Sequence, residues 1–123
     1  MDKNLYFFDS YAVIEILLEN ENYKKYANAS IVLTKLNIFE IYYNIAKDKG
    51  DKIAKDVADN YYPFVVEYGK DIIEEAAKFR LKYKKNDLSM TDCIGYFIAL
   101  KYKIKFLTGD KQFENFPNVE FVK

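Results

Sequence analysis

The chain has 123 residues, half of them hydrophobic and 31% charged, and its 19 basic and 19 acidic side chains balance to a net charge of zero. That length suits one domain with a sizeable core, expected to span residues 1–123, and the balance argues against a general nucleic-acid binder, whose footprint is an excess of Lys and Arg. There is no histidine and a single cysteine, Cys93, which excludes a disulfide framework, a cysteine zinc site, His-ligated transition metals and His-dependent catalysis.

The first residues, Met1-Asp2-Lys3-Asn4, lead into a strand-like segment without the basic and apolar regions of a signal peptide. The uncharged stretch from Cys93 to Leu100 is far too short to span a bilayer. A cytoplasmic protein without membrane association is therefore expected. Leu5-Tyr6-Phe7-Phe8 reads as a short buried strand, followed by a turn at Asp9-Ser10. Ala12, Val13, Ile16 and Leu17 then recur at helical spacing and predict a helix to about Leu18. A polar loop at Glu19-Asn20-Glu21-Asn22 and a short helix over residues 23–27 precede a β-branched strand, Ile31-Val32-Leu33.

Over residues 35–47 the 3.6 period returns, with Leu36, Phe39, Tyr43 and Ala46 on one side and Gly50 as the stop. A further helix over residues 52–61 ends at Pro63, and Phe64-Val65-Val66 is a third candidate strand. The helix over residues 71–84 has acids in its first turns and cations at its end, complementing its dipole. Ser89-Met90-Thr91-Asp92 opens a helix to about Tyr102, and Lys105-Phe106-Leu107-Thr108 is a fourth strand. After Gly109 comes a loop or short helical turn to Pro117, then a last strand over residues 119–122. Strands alternating with helices imply an α/β domain, a mainly parallel sheet with helices on both faces.

Four carboxylates stand in apolar surroundings. Asp9 closes the first strand, Glu40 is the only charge between Asn37 and Ala46, Asp92 is the only charge between Asp87 and Lys101, and Asp110 follows the fourth strand by one glycine. Taken singly, Asp9 or Ser10 is also a helix cap, Asp92 the partner of Ser89 in a capping box, and Asp110 a turn residue. Jointly, Asp9 and Asp110 lie past the carboxyl ends of strands, the rim where open parallel sheets bind ligands. Asp92 and Glu40 lie near the starts of helices that can reach that rim. Four acids facing one cleft repel each other unless a cation sits among them, and with no lysine or arginine in these runs the cation is a divalent metal. Oxygen donors point to Mg²⁺ or Mn²⁺.

These residues resemble a PIN domain, and most closely the small stand-alone ribonucleases of VapC-type toxin–antitoxin systems. The matching segments are Tyr6-Phe7-Phe8-Asp9-Ser10, Leu36-Asn37-Ile38-Phe39-Glu40-Ile41, Leu88-Ser89-Met90-Thr91-Asp92-Cys93-Ile94 and Phe106-Leu107-Thr108-Gly109-Asp110-Lys111-Gln112-Phe113. They span nearly the whole chain in the family's order and spacing. The resemblance implies a three-layer sandwich around a mainly parallel sheet of four to five short strands. It makes Asp9, Glu40, Asp92 and Asp110 the catalytic quartet holding one or two Mg²⁺ or Mn²⁺ ions, with Ser10 and Thr108 as supporting hydroxyls. It further implies cleavage of single-stranded RNA to 5′-phosphate and 3′-hydroxyl ends, a small antitoxin partner and a homodimer. Tyr11 departs from the small hydroxyl residue common at its position and reshapes the entrance.

Lys111, beside Asp110, is a candidate phosphate contact, and Tyr11 a candidate stacking platform for a base. Lys78, Arg80, Lys82, Lys84 and Lys85 can meet phosphates or simply complement a helix end. Three alternatives stand beside this reading: a non-catalytic PIN-like module binding RNA or protein, a phosphoacceptor signalling receiver, and a flap or structure-specific nuclease, whose extra helical elements for gripping DNA have no room in this length. The receiver lacks its usual signs here, since Asp9 has no acidic neighbour and Phe64-Val65-Val66 is followed by Glu67 and Tyr68.

Overall fold

A run of four apolar residues buried on both sides is what a central strand of a parallel sheet requires. Leu5–Phe8 forms that strand, β1, with Phe7 and Phe8 fully buried, in a computed structural model that describes residues 4–123. The expectation for Met1-Asp2-Lys3 lies outside the described residues. β1 pairs with β2 (Ser30–Val32) on one side and β3 (Lys105–Thr108) on the other, and β3 pairs with β4 (Val119–Phe121). All pairings are parallel and the order is β2-β1-β3-β4. In register, Phe7 sits between Val32 and Phe106.

The first connection carries α1 (Ser10–Leu17) and moves the chain from β1 to β2. The second returns past β1 to β3 through α2 (Lys35–Lys49), α3 (Asp51–Tyr61), α4 (Lys70–Lys82) and α5 (Met90–Tyr102). Right-handed crossovers running in opposite directions cover opposite faces of the sheet, so α1 and α5, which each contact both β1 and β3, give the three-layer arrangement. The strand order reverses between β1 and β3, and the carboxyl ends of these two strands flank the crevice that such a reversal opens.

Two expectations are corrected. Phe64-Val65-Val66 is not a strand: Tyr62–Phe64 is a 3₁₀ turn, and Val65 makes a single parallel bridge to Leu33. Pro63 donates no hydrogen bond and favours the turn, so only the Leu33 N–H to Phe64 carbonyl (3.3 Å) and Val66 N–H to Leu33 carbonyl (2.8 Å) bonds form. The stripe of Leu36, Phe39, Tyr43 and Ala46 on α2 is divided: Leu36 and Ala46 are half-buried against the core. Asn37, Ile41 and Ile45 face the core, while Phe39 and Tyr43 are 71% and 59% exposed. Both patterns have helical spacing, and only tertiary packing separates them.

α5 is apolar nearly all round, as a helix buried on several sides must be, and its Cys93, Ile94, Tyr96, Ile98 and Ala99 are in the core. It lies so close to β1 that a Cβ on Gly95 would fall 2.4 Å from Cε1 of Phe7. Phe7 is itself packed against Phe106, with ring centroids 5.8 Å apart. Replacing Gly95 with alanine gains about 0.5–1 kcal/mol of helix propensity but overpacks a closed core at a cost of about 1–3 kcal/mol. Gly95→Ala is therefore expected to lower the urea unfolding midpoint at unchanged m-value; an equal or higher midpoint would mean the Phe7 ring withdraws freely.

Candidate active site

Asp9 follows β1 directly, and its backbone N–H still donates to Leu107 of β3 (3.1 Å). Extended backbone at Asp9 (φ −69°, ψ 167°) lets its carboxylate turn back and cap α1, with Oδ1 accepting from the Ala12 N–H at 2.7 Å. Oδ2 accepts a short hydrogen bond from the hydroxyl of Thr108, the last residue of β3. Cap and site are thus the same group. Asp9 is only 2% exposed and Thr108 is fully buried.

Thr108 also organises Asp110, because its hydroxyl oxygen accepts the Asp110 N–H at 3.0 Å. Asp110 in turn caps the 3₁₀ turn Lys111–Phe113, accepting from the Gln112 N–H at 2.9 Å. Between them Gly109 has no room for a side chain: a Cβ would lie 2.7 Å from the Tyr23 hydroxyl oxygen and 2.8 Å from the Val122 carbonyl oxygen. The Tyr23 hydroxyl donates to that carbonyl at 2.7 Å and pins the loop from below.

Glu40 is held from the other side. The Ser10 hydroxyl donates to Glu40 Oε1 at 2.6 Å and accepts from Asn37 Nδ2 at 3.0 Å. Asn37 Oδ1 accepts from both the N–H and the hydroxyl of Thr34, at 2.9 and 2.8 Å, closing the capping box of α2. A buried relay therefore runs from Thr34 through Asn37 and Ser10 to Glu40. At the start of α5 the Ser89 hydroxyl accepts the Asp92 N–H at 3.0 Å. That is one half of the expected capping box, and the Asp92 carboxylate lines the cleft.

Asp9, Glu40, Asp92 and Asp110 accordingly line one cleft of about 600 Å³, together with Ser10, Tyr11, Asn44, Asp48 and Ser89. Tyr11 is 53% exposed at this cleft, whereas Thr108 lies beneath it and Lys111 is exposed but outside its lining. Asn37, Asn44 and Asp48 were not anticipated. Glu40, Asn44 and Asp48 recur every four residues along α2, a polar stripe that was available as a signal. Asn37 gave none, being one asparagine in an apolar run.

Burial and then the neighbouring charge of Asp92 hold the Asp9 carboxyl well above its ordinary range, against the hydrogen bonds from Thr108 and Ala12. Burial, followed by Glu40, pushes Asp92 up to about 7, opposed by Ser89. Crowded carboxylates of this kind lack a counter-charge. Among the described residues no three acidic or cysteine side chains converge tightly enough to cage an ion unaided. This donor set fits Mg²⁺ or Mn²⁺ rather than a dedicated cage, since Mg²⁺ is held by one or two carboxylates with water and substrate phosphate completing its shell.

A family model described as PIN domain matches residues 6–119. No curated protein matches the sequence. Among solved structures, a toxin–antitoxin complex from Klebsiella pneumoniae is similar with a TM-score of 0.73 and 18% identity, covering 94% of this chain and 95% of that one. VapBC2 from Rickettsia felis, bound to a DNA fragment from its promoter, is similar with a TM-score of 0.71 and 14% identity, covering 97% and 99%. At these identities the structures speak for the fold.

Burial raises the carboxyl pKa of both Asp9 and Asp92 on folding; for Asp92 the stabilisation of its neutral form is complete below about pH 4 and is lost as pH rises through about 7. In ion-free buffer the melting temperature of wild type relative to Asp92→Asn is expected to fall across that window, because the amide keeps the neutral state. A pH-independent difference would show that Asp92 titrates as an ordinary carboxylate.

Proposed function

This chain belongs to the PIN domain family, and on that premise we propose that it is a metal-dependent endoribonuclease that cleaves single-stranded RNA. We read it as the toxin of a toxin–antitoxin pair, working in the cytoplasm as one domain over residues 1–123. The observation that supports the chemistry is the meeting of four carboxylates from four separate elements in one cleft with no cation among its described lining residues. No helix among the described residues is long and apolar enough to cross a membrane.

In this reading Asp9 and Asp92 hold one or two divalent ions, Mg²⁺ or Mn²⁺, with Glu40 and Asp110 completing the donor set. When bound, the metal supplies acidity to the attacking water and charge to steady the leaving oxygen. Glu40 takes up or orients a proton of that water. The Ser10 hydroxyl holds its Oε1 in place. Thr108 keeps Asp9 and Asp110 in fixed relation through its single hydroxyl. Tyr11 offers an exposed ring at the cleft for base stacking, and Lys111 a cation beyond it.

The proposed antitoxin partner has a surface of fitting chemistry next to the acids. On the flank of α2 an apolar groove of about 730 Å³ is lined by Ile38, Phe39, Tyr42, Tyr43 and Ala46, with Lys35 and Lys47 at its edges. Phe39 precedes Glu40, so a segment seated there can reach the cleft. A homodimer is part of the same proposal.

Mg²⁺ or Mn²⁺ binding to the native state alone should stabilise wild type by about 2.7 kcal/mol at a hundredfold excess over Kd. The Asp9→Asn/Asp92→Asn variant should show no such shift and no cleavage of single-stranded RNA. Full activity in EDTA, or products ending in 2′,3′-cyclic phosphate, would refute the mechanism. An absent metal shift in wild type, with a variant less stable at every ion concentration, would leave the acids as caps and the chain a non-catalytic PIN-like binding module.

Phe39→Asp/Tyr43→Asp alters two exposed rings and should leave the melting temperature nearly unchanged while abolishing co-purification with the proposed antitoxin. Retained co-purification would move the antitoxin to another face.

A further inference from the structure

Between Lys78 and Lys85 the chain carries Lys78, Arg80, Lys82, Lys84 and Lys85 and no acid, in a molecule whose net charge is zero. The dipole of α4 accounts for Arg80 and Lys82, which lie in its last turn. It does not account for Lys84 and Lys85, which follow in the 3₁₀ turn Lys84–Asn86. Arg80 and Lys84 meet in a pocket of about 350 Å³ whose other walls are Ala77, Leu81, Asp87 and Leu88. The Nε–H of Arg80 donates to the Leu88 carbonyl at 2.8 Å, which seats the guanidinium against the loop. Neither Arg80 nor Lys84 forms an ion pair among the described residues.

The position matters as much as the charge. Leu88 lines this pocket and the next residue, Ser89, lines the acidic cleft, so the two depressions share one stretch of backbone as their wall. A cleft made of carboxylates repels a polyanionic strand everywhere except where a metal intervenes, and such a strand needs an anchor just beyond it. Arginine's planar fork is suited to phosphate, and its two terminal amino groups are free of ion pairs here.

We propose that the Arg80–Lys84 pocket is a phosphate subsite for single-stranded RNA, gripping the strand beyond the bond that lies in the acidic cleft. The inference rests on the nuclease reading and adds to it the path of the substrate. The strand crosses the Ser89-Met90 saddle, where Met90 is 55% exposed, with its backbone toward the cations.

The test is fluorescence anisotropy of a labelled single-stranded oligoribonucleotide in EDTA, so that no cleavage intervenes, over a series of salt concentrations. For single strands log K falls with log salt at about 0.7 per neutralised phosphate. Arg80→Gln and Lys84→Gln should each weaken binding severalfold and reduce that slope by about 0.7. Lys52→Gln, the same charge change at an exposed lysine of α3, should leave the slope as it is. Lys84 has no described hydrogen bond, so its variant keeps the test open if Arg80→Gln fails to fold. Unchanged slopes in both variants, an equal loss in Lys52→Gln, or no binding by wild type would overturn the subsite. A wild type that binds through these cations but cuts no RNA with Mg²⁺ or Mn²⁺ would sink the nuclease reading and leave the subsite standing. Cleavage by wild type with slopes untouched in Arg80→Gln and Lys84→Gln would do the reverse.

Discussion

A single carboxylate, that of Asp9, ties the sheet to the cleft. It is 2% exposed, and instead of a cation it has a backbone N–H of α1 on one oxygen and the Thr108 hydroxyl on the other. Burying a charge without a partner is strongly unfavourable unless hydrogen bonds compensate; the two bonds do so in part, while burial still holds the Asp9 carboxyl above its ordinary range. Those two bonds bring the start of α1 and the end of β3 to the same point. Because Thr108 also accepts the Asp110 N–H, the acid following β3 is set relative to the acid following β1. The crevice at the strand reversal thereby becomes an acidic site with fixed walls.

α2 supplies three services from three sides of one helix. Asn37, Ile41 and Ile45 face the core; Glu40, Asn44 and Asp48 face the cleft; Phe39 and Tyr43 face outward, their rings parallel within 3° with centroids 6.5 Å apart. Asn37 links the first two. A buried amide is unfavourable unless satisfied, and satisfying it through Thr34 and Ser10 aligns the hydroxyl that holds Glu40. The exposed aromatic side lies outside the buried core of the described residues, its two rings stacked on each other at the edge of an apolar groove.

Neutral overall charge conceals a division. Carboxylates are collected at the carboxyl ends of β1 and β3, and cations are collected in the last turns of α4 and the 3₁₀ turn after it. Net charge is therefore a poor guide to partners in a molecule of this size, because the field that a strand meets is local.

The acids and the order of elements were legible in the sequence because each depends on short-range signals. An apolar tetrapeptide ending in Asp, a lone Glu in an apolar helix, and Thr-Gly-Asp after a strand are all local patterns. Asn37 was illegible as a functional residue, since its role needs Ser10 brought across from another element. Which side of α2 is buried was not legible, because two stripes with the same 3.6 period compete and only the packing of α2 against the rest of the fold decides between them. Phe64-Val65-Val66 has strand composition, but the 3₁₀ turn at Pro63 takes up its first residue and leaves a single bridge to Leu33, next to edge strand β2. The sequence by itself determined which residues carry charge where charge is unfavourable, and so the chemistry of the site. Tertiary structure alone decided that Thr108 joins Asp9 to Asp110 and that Ser10 joins Asn37 to Glu40, because hydrogen bonds between residues tens of positions apart exist only once the parallel sheet has aligned the ends of its strands.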